Sequence, residues 1–136
     1  CETATKRLRS NKKACEVVGF GIGYSRSVGD GFYHSKKLSS PTDKDSVIYE
    51  VCKSIFDAYI EELPIRKVSI SLGKLSDNNY VQLNLFDTNE ESYDETMKTI
   101  DEITKRFGDN AILKASSLLD YSTIKMRNKK MGGHNK

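Results

Sequence analysis

The chain has 136 residues, 37% of them hydrophobic, a length that suits one domain with a real core and is short for a two-lobed enzyme. No run approaches the roughly 18 apolar residues of a membrane span. The net charge of +3 hides strong segregation: residues 1–40 carry a net +5, 41–64 a net −4, 65–75 a net +3, 76–104 a net −7 and 105–136 a net +6.

Glu2–Lys13 reads as the end of a helix, with Ala4 and Leu8 one turn apart. Cys15–Tyr24 reads as a strand in which Val18, Phe20, Ile22 and Tyr24 alternate with Val17, Gly19, Gly21 and Gly23. Ser27–Gly31 has hairpin-turn composition, and Phe32–Leu38 returns as a second strand. Ser39-Ser40-Pro41 closes it, and Thr42 with Asp45 resembles a capping box opening a helix. Ile48, Val51, Cys52, Ile55 and Tyr59 form that helix's apolar stripe opposite Glu50, Lys53, Asp57 and Glu61, and Pro64 ends it. Arg66–Leu75 is the clearest strand: Val68, Ile70 and Leu72 face one way, Lys67, Ser69, Ser71 and Gly73 the other. A helix from about Glu91 to Phe107 follows, with Tyr93, Met97, Ile100, Ile103 and Phe107 on one side and Gly108 as its stop. Ala111–Leu119 is expected as a last strand, and Tyr121–Lys136 as a loose basic tail.

The acid therefore sits mostly in two helices and the base in strands and tail. That pattern fits one basic face, as a phosphate backbone attracts, or simply two solvated helices. The N-terminus lacks signal-peptide character, and three cysteines (Cys1, Cys15, Cys52) without C-x-x-C spacing argue for a reducing cytoplasm and against a zinc site or disulfide framework. Cys52, amid apolar helix positions, is expected in the core.

Gly19-Phe-Gly21-Ile-Gly23 is not a dinucleotide fingerprint, which needs G-x-G-x-x-G between a strand and a helix. Its alternation strips one strand face of side chains, so either another element packs there closely or a ligand lies on the backbone. Main-chain N–H groups, serines and lysines bond phosphate oxygens without reading bases. Gln82-Leu83-Asn84-Leu85-Phe86 presents a second puzzle, because large apolar side chains are badly placed between polar Ser76–Asn79 and acidic Asp87–Glu91. It is either an ordinary strand end or a peptide held out for another protein; Gln-Leu-x-Leu-Phe is a form that many bacterial proteins dock on the replication sliding clamp.

The order of these pieces carries a resemblance. A helix, a glycine-rich strand ending Gly21-Ile-Gly-Tyr-Ser25, a hairpin to Ser35-Lys-Lys-Leu38, a Pro-Thr turn into a helix and then Ile65-Arg-Lys-Val-Ser-Ile-Ser-Leu-Gly-Lys-Leu75 resemble the little-finger domain of Y-family translesion DNA polymerases. Tyr80–Phe86 is similar to the clamp-binding peptide that follows it, and Leu113–Leu119 with Arg127–His134 resemble the C-terminal part of the UmuC/MucB-like branch. The implied fold is α+β, an antiparallel or mixed sheet with helices on one face and the family's first strand missing. Residues 1–80 would be the DNA-binding finger, 81–87 the clamp motif, 88–120 a helix and possible strand, and 121–136 a flexible tail.

The resemblance implies that the sheet grips DNA through phosphates at Gly19, Gly21, Gly23, Ser25, Arg26, Ser35, Lys36, Lys37, Arg66, Lys67, Ser69 and Ser71, with the strand register deciding between Lys36 and Lys37. It implies that Gln82 bonds the sliding clamp while Leu83, Leu85 and Phe86 fill its apolar groove. The expected partners are duplex or primer-template DNA of any sequence and the bacterial clamp, with no membrane. No catalytic or metal site is expected in this chain, since the family's magnesium-binding carboxylates belong to a palm domain. The missing strand leaves an edge for Ala111–Leu119 or a neighbouring chain to cover. An RNA-binding α/β domain is the competing reading; it needs exposed aromatics, and Tyr33 is the one plausible platform.

Overall fold

The computed structural model describes residues 1–25, 29–78, 88–131 and 134–135. It divides into two compact units, Cys1–Gln82 and Leu83–Lys136.

The first unit is α+β, as expected. Helix α1, Glu2–Ser10, places Glu2 in its first turn and Arg7 and Arg9 in its last, matching the helix dipole. Thr5 and Leu8 are its buried residues; Thr5 is tolerated there because its hydroxyl donates to the Glu2 carbonyl at 3.0 Å. The helix stops short of Lys13, because the Asn11 amide side chain takes the Arg7 carbonyl at 2.7 Å and Lys12 adopts a left-handed φ of 52°. The chain then enters β1 (Lys13–Tyr24), turns into β2 (Phe32–Thr42), crosses through α2 (Asp45–Tyr59) and returns as β3 (Ile65–Asp77). The sheet order is β2-β1-β3, antiparallel throughout.

Sequence alternation explains the layering. Val18, Phe20, Ile22 and Tyr24 of β1 are buried beneath α2, whose Ile48, Val51, Cys52 and Ile55 complete the core with Leu8 and Cys15. Phe56 meets Phe20 edge-on with ring centroids 6.3 Å apart. Tyr24 sinks its ring and keeps its hydroxyl satisfied by accepting the Glu61 N–H at 3.0 Å. Helix α2 lies over β1 and β2, and α1 over β1 and β3. The Ile65–Val68 end of β3 is consequently exposed although Val68 pairs with buried Ile22.

The start of α2 departs from expectation. Thr42 is not its cap: the N-cap position is Lys44, without a side-chain cap, and the Thr42 hydroxyl instead accepts the Lys44 N–H at 3.2 Å. Pro41 and Thr42 still belong to β2, so the helix cannot begin earlier.

In the second unit α3 spans Thr88–Phe107, with Met97, Ile100 and Ile103 half-buried and Thr104 buried. Phe107, expected on the same stripe, is 70% exposed. Gly108 ends the helix at φ 93°, its N–H bonded to the Thr104 carbonyl at 2.9 Å. Ala111–Leu119 does not form the expected strand. Ala115–Leu118 is a 3-10 helix, and its Ala-Ser-Ser sequence favours local turns over a ladder. Within the stretch expected to be loose, α4 (Ile124–Asn128) is tied back by Asn128, whose amide donates to the Asp109 carbonyl at 3.1 Å and Asn110 Oδ1 at 2.9 Å. A two-residue pairing of β4 (Lys130–Met131) with β5 (His134–Asn135) follows.

Ile48 is fully buried at the centre of α2's contact with β1. Ile48→Ala should cost about 2–5 kcal/mol in urea unfolding of the first unit, whereas Glu50→Ala on the exposed face should change it by less than about 0.5 kcal/mol.

Candidate nucleic-acid interface

The sheet face away from the helices is built from cross-strand rungs. Val17 lies opposite Lys37 and Gly73; Gly19 opposite Ser35 and Ser71; Gly21 opposite Tyr33 and Ser69; Gly23 opposite Lys67. Directly opposed residues share a face in an antiparallel pair, so Ser35, Lys37, Lys67, Ser69 and Ser71 converge around a strip of glycines. Lys37, Lys67, Ser35 and Ser71 are exposed. Lys37 has a loose ion pair with Glu16 at 4.0 Å and keeps 66% of its side chain accessible, an arrangement that holds it weakly.

The register separates the two adjacent lysines. Lys37 sits opposite Val17 on the glycine face, whereas Lys36 sits opposite buried Val18, on the helix side at the outer edge of β2. Arg66 falls where pairing shifts between Gly23 and Tyr24, and alternation there no longer assigns it a side. Ser25 is half-buried, its N–H bonded to the Pro64 carbonyl at 3.2 Å. Arg26 and the whole of Gln82–Phe86 lie outside the described residues.

The glycine strip is not open backbone at its centre. Tyr33 lies across it from β2, and its hydroxyl meets the Ser71 hydroxyl of β3 at 2.6 Å. A Cβ at Gly19 would stand 2.0 Å from the Tyr33 hydroxyl oxygen and 2.4 Å from Ser71 Oγ; one at Gly21 would stand 2.9 Å from both Ser69 Oγ and the Phe32 carbonyl. At Gly19 and Gly21 the glycines thus make room for a neighbouring side chain, the closely packed one of the two arrangements that alternating glycines leave open. Gly23, with Lys67 Cβ at 3.3 Å, is less crowded. Tyr33 remains 57% exposed and was absent from the expected DNA contacts. Its two-residue spacing from Ser35 and Lys37 was the available signal.

Among the described residues no group of three or more His, Cys, Asp or Glu could hold a metal ion, and no helix is long and apolar enough to cross a membrane. Burial raises the thiol pKa of both Cys15 and Cys52, which keeps them protonated and poor nucleophiles.

A three-stranded antiparallel sheet with helices on one face and a Ser/Lys-lined opposite face is a little-finger-like α+β domain. Residues 1–85 match the impB/mucB/samB family C-terminal domain, and the chain belongs to that family. It is 33% identical over 98% of its length to the Bacillus subtilis protein named "Putative UV-damage repair protein UvrX", covering 32% of that protein. It is 31% identical over its whole length to DNA polymerase IV 2 of Halalkalibacterium halodurans, covering 33% of it, and 35% identical over 78% of its length to DNA polymerase IV 2 of Bacillus subtilis, covering 26% of it. The chain thus spans about a third or less of the length of these relatives.

If Gly19 is glycine to admit the Tyr33–Ser71 bridge, Gly19→Ala should destabilise the fold by about 1–3 kcal/mol. In a Tyr33→Ala background the same change should cost at least about 1 kcal/mol less. Equal costs in the two backgrounds, read from denaturant unfolding, would remove the bridge as the reason.

Proposed function

We propose that this chain is the DNA-gripping C-terminal part of an error-prone translesion polymerase, acting in tolerance of damaged DNA. The observation that carries the reading is the single sheet face on which Lys37, Lys67, Ser35 and Ser71 are exposed together. Lysine ammonium groups and serine hydroxyls bind phosphates without reading base edges, so the grip is sequence-independent and salt-sensitive. Family membership and the names of the relatives, DNA polymerase IV among them, point the same way. Magnesium-dependent phosphoryl transfer then belongs to a palm domain of a longer protein, and this chain contributes position rather than chemistry.

Gln82, Leu83, Leu85 and Phe86 complete the proposal as a sliding-clamp peptide. Their support is the sequence pattern and its place directly after the finger. A tether to the clamp raises the effective concentration of a weak, salt-sensitive DNA grip at the primer end.

Titration of a labelled duplex should give equal affinity for unrelated sequences, with log Kd linear in log salt. Lys37→Gln and Lys67→Gln should each lower the magnitude of that slope by about 0.9. Strong preference for single-stranded RNA would sink the reading and favour the RNA-binding alternative. Leu85→Ala with Phe86→Ala should abolish capture by the purified clamp and leave DNA affinity within about twofold; retained capture would strip the motif of its role.

A further inference from the structure

Tyr33 is held at both ends of its side chain. The ring lies over the Gly19 and Gly21 backbone, where virtual Cβ atoms would approach Tyr33 Cζ to 2.7 Å and Cδ2 to 3.0 Å, and the hydroxyl is engaged with Ser71 at 2.6 Å. An aromatic ring pinned against a strand by one face presents the other outward, and the residue is 57% exposed. Lys37 and Lys67 stand on the same sheet face on either side of it along the ladder.

We propose that this ring is a deoxyribose-contacting platform, which adds to DNA affinity a component that salt does not weaken. The inference rests on the sheet face being the DNA-contacting one. A duplex keeps its base faces within the stack and offers a sheet only sugars, phosphates and groove edges. The flanking lysines suit the phosphates, and the hydroxyl of Tyr33 is already engaged. That leaves the apolar ring for the sugars, whose C–H groups lose hydration against it. Because the side chain is fixed before DNA arrives, ordering it costs little on binding. The two kinds of contact differ in their salt response: lysine–phosphate contacts release counterions, and a ring–sugar contact releases none.

The test uses the whole chain, a labelled duplex of arbitrary sequence, and a series of salt concentrations. Tyr33→Phe should bind within about twofold of the parent, since the ring persists. Tyr33→Leu should bind about three- to tenfold more weakly at every salt concentration, with the slope unchanged. Parental affinity in Tyr33→Leu, with Lys67→Gln still flattening the slope, would overturn the platform and leave the sheet reading intact. Parental slopes in Lys37→Gln and Lys67→Gln would instead remove the sheet reading. A larger Tyr33→Leu loss on a single-stranded oligonucleotide than on the duplex would overturn the sugar assignment, the ring then stacking on bases. Circular dichroism checks that Tyr33→Leu folds. If it does not, Tyr33→Met, which keeps bulk over the glycines without a ring, should weaken duplex binding at constant slope, and unchanged affinity in that variant would overturn the proposal.

Discussion

The two-faced character of β1 is the constraint on which the rest of the first unit depends. Every second residue from Val18 to Tyr24 is large and buried, and the residues between them from Gly19 to Gly23 are glycine. The large set anchors α2 and draws α1 onto the same side. The glycine set keeps the other face low enough for Tyr33 to reach across from β2 to β3. Glycine in a strand costs roughly 0.5–1 kcal/mol relative to alanine, so three of them cost about as much as burying one large side chain contributes. A central strand can bear that only because its other face is so fully buried. A shift of one residue in β1 would drop glycines into the core and expose Phe20 and Ile22, so the pattern also fixes register.

Because the register is fixed, the neighbouring strands inherit their faces. Ser35 and Lys37 reach the glycine side since Gly19 pairs with Ser35 and Val17 with Lys37. The same logic places His34 on the helix side, where its ring stacks on Tyr59 at 3.8 Å. On β3, Lys67, Ser69 and Ser71 follow from their pairing with Gly23, Gly21 and Gly19. The candidate interface is thus a consequence of the core pattern rather than a separately built site.

This explains what was legible in the sequence. Strong period-2 alternation gave β1 and β3, and a 3.6-residue stripe gave α2, because burial on one face enforces each period. Lys36 and Lys37 were not separable, since an edge strand after a turn has no periodicity of its own to set its phase. Tyr33 was legible as an exposed aromatic but not as the side chain over the glycines, because only pairing reveals which neighbour fills the space that alternating glycines leave. Ala111–Leu119 failed because its apolar residues suggested a strand while Ala115, Ser116 and Ser117 favour local hydrogen bonds, and Ser117 N–H indeed turns back to the Lys114 carbonyl at 2.8 Å. The helical start at Thr42 failed because β2 runs further than its apolar residues.

Charge segregation acquires a direction from the same layering. Glu50 and Asp57 of α2 are exposed, with Glu61 and Glu62 just beyond its end, and α2 covers the side of the sheet opposite Lys37 and Lys67. That side also carries Lys36 and the basic last turn of α1, so its acid is confined to α2 and the turn that follows it. Within a Debye length of about 10 Å at 0.1 M salt a polyanion would therefore meet repulsion over α2 and attraction over α1 and the glycine face. The modest net charge of +3 understates this patchiness, because opposite local charges cancel in the sum. The glycine face is set apart less by charge than by footing: it is the flat, small-residue side, with Lys37 and Lys67 on the rungs that bracket Gly19 and Gly21.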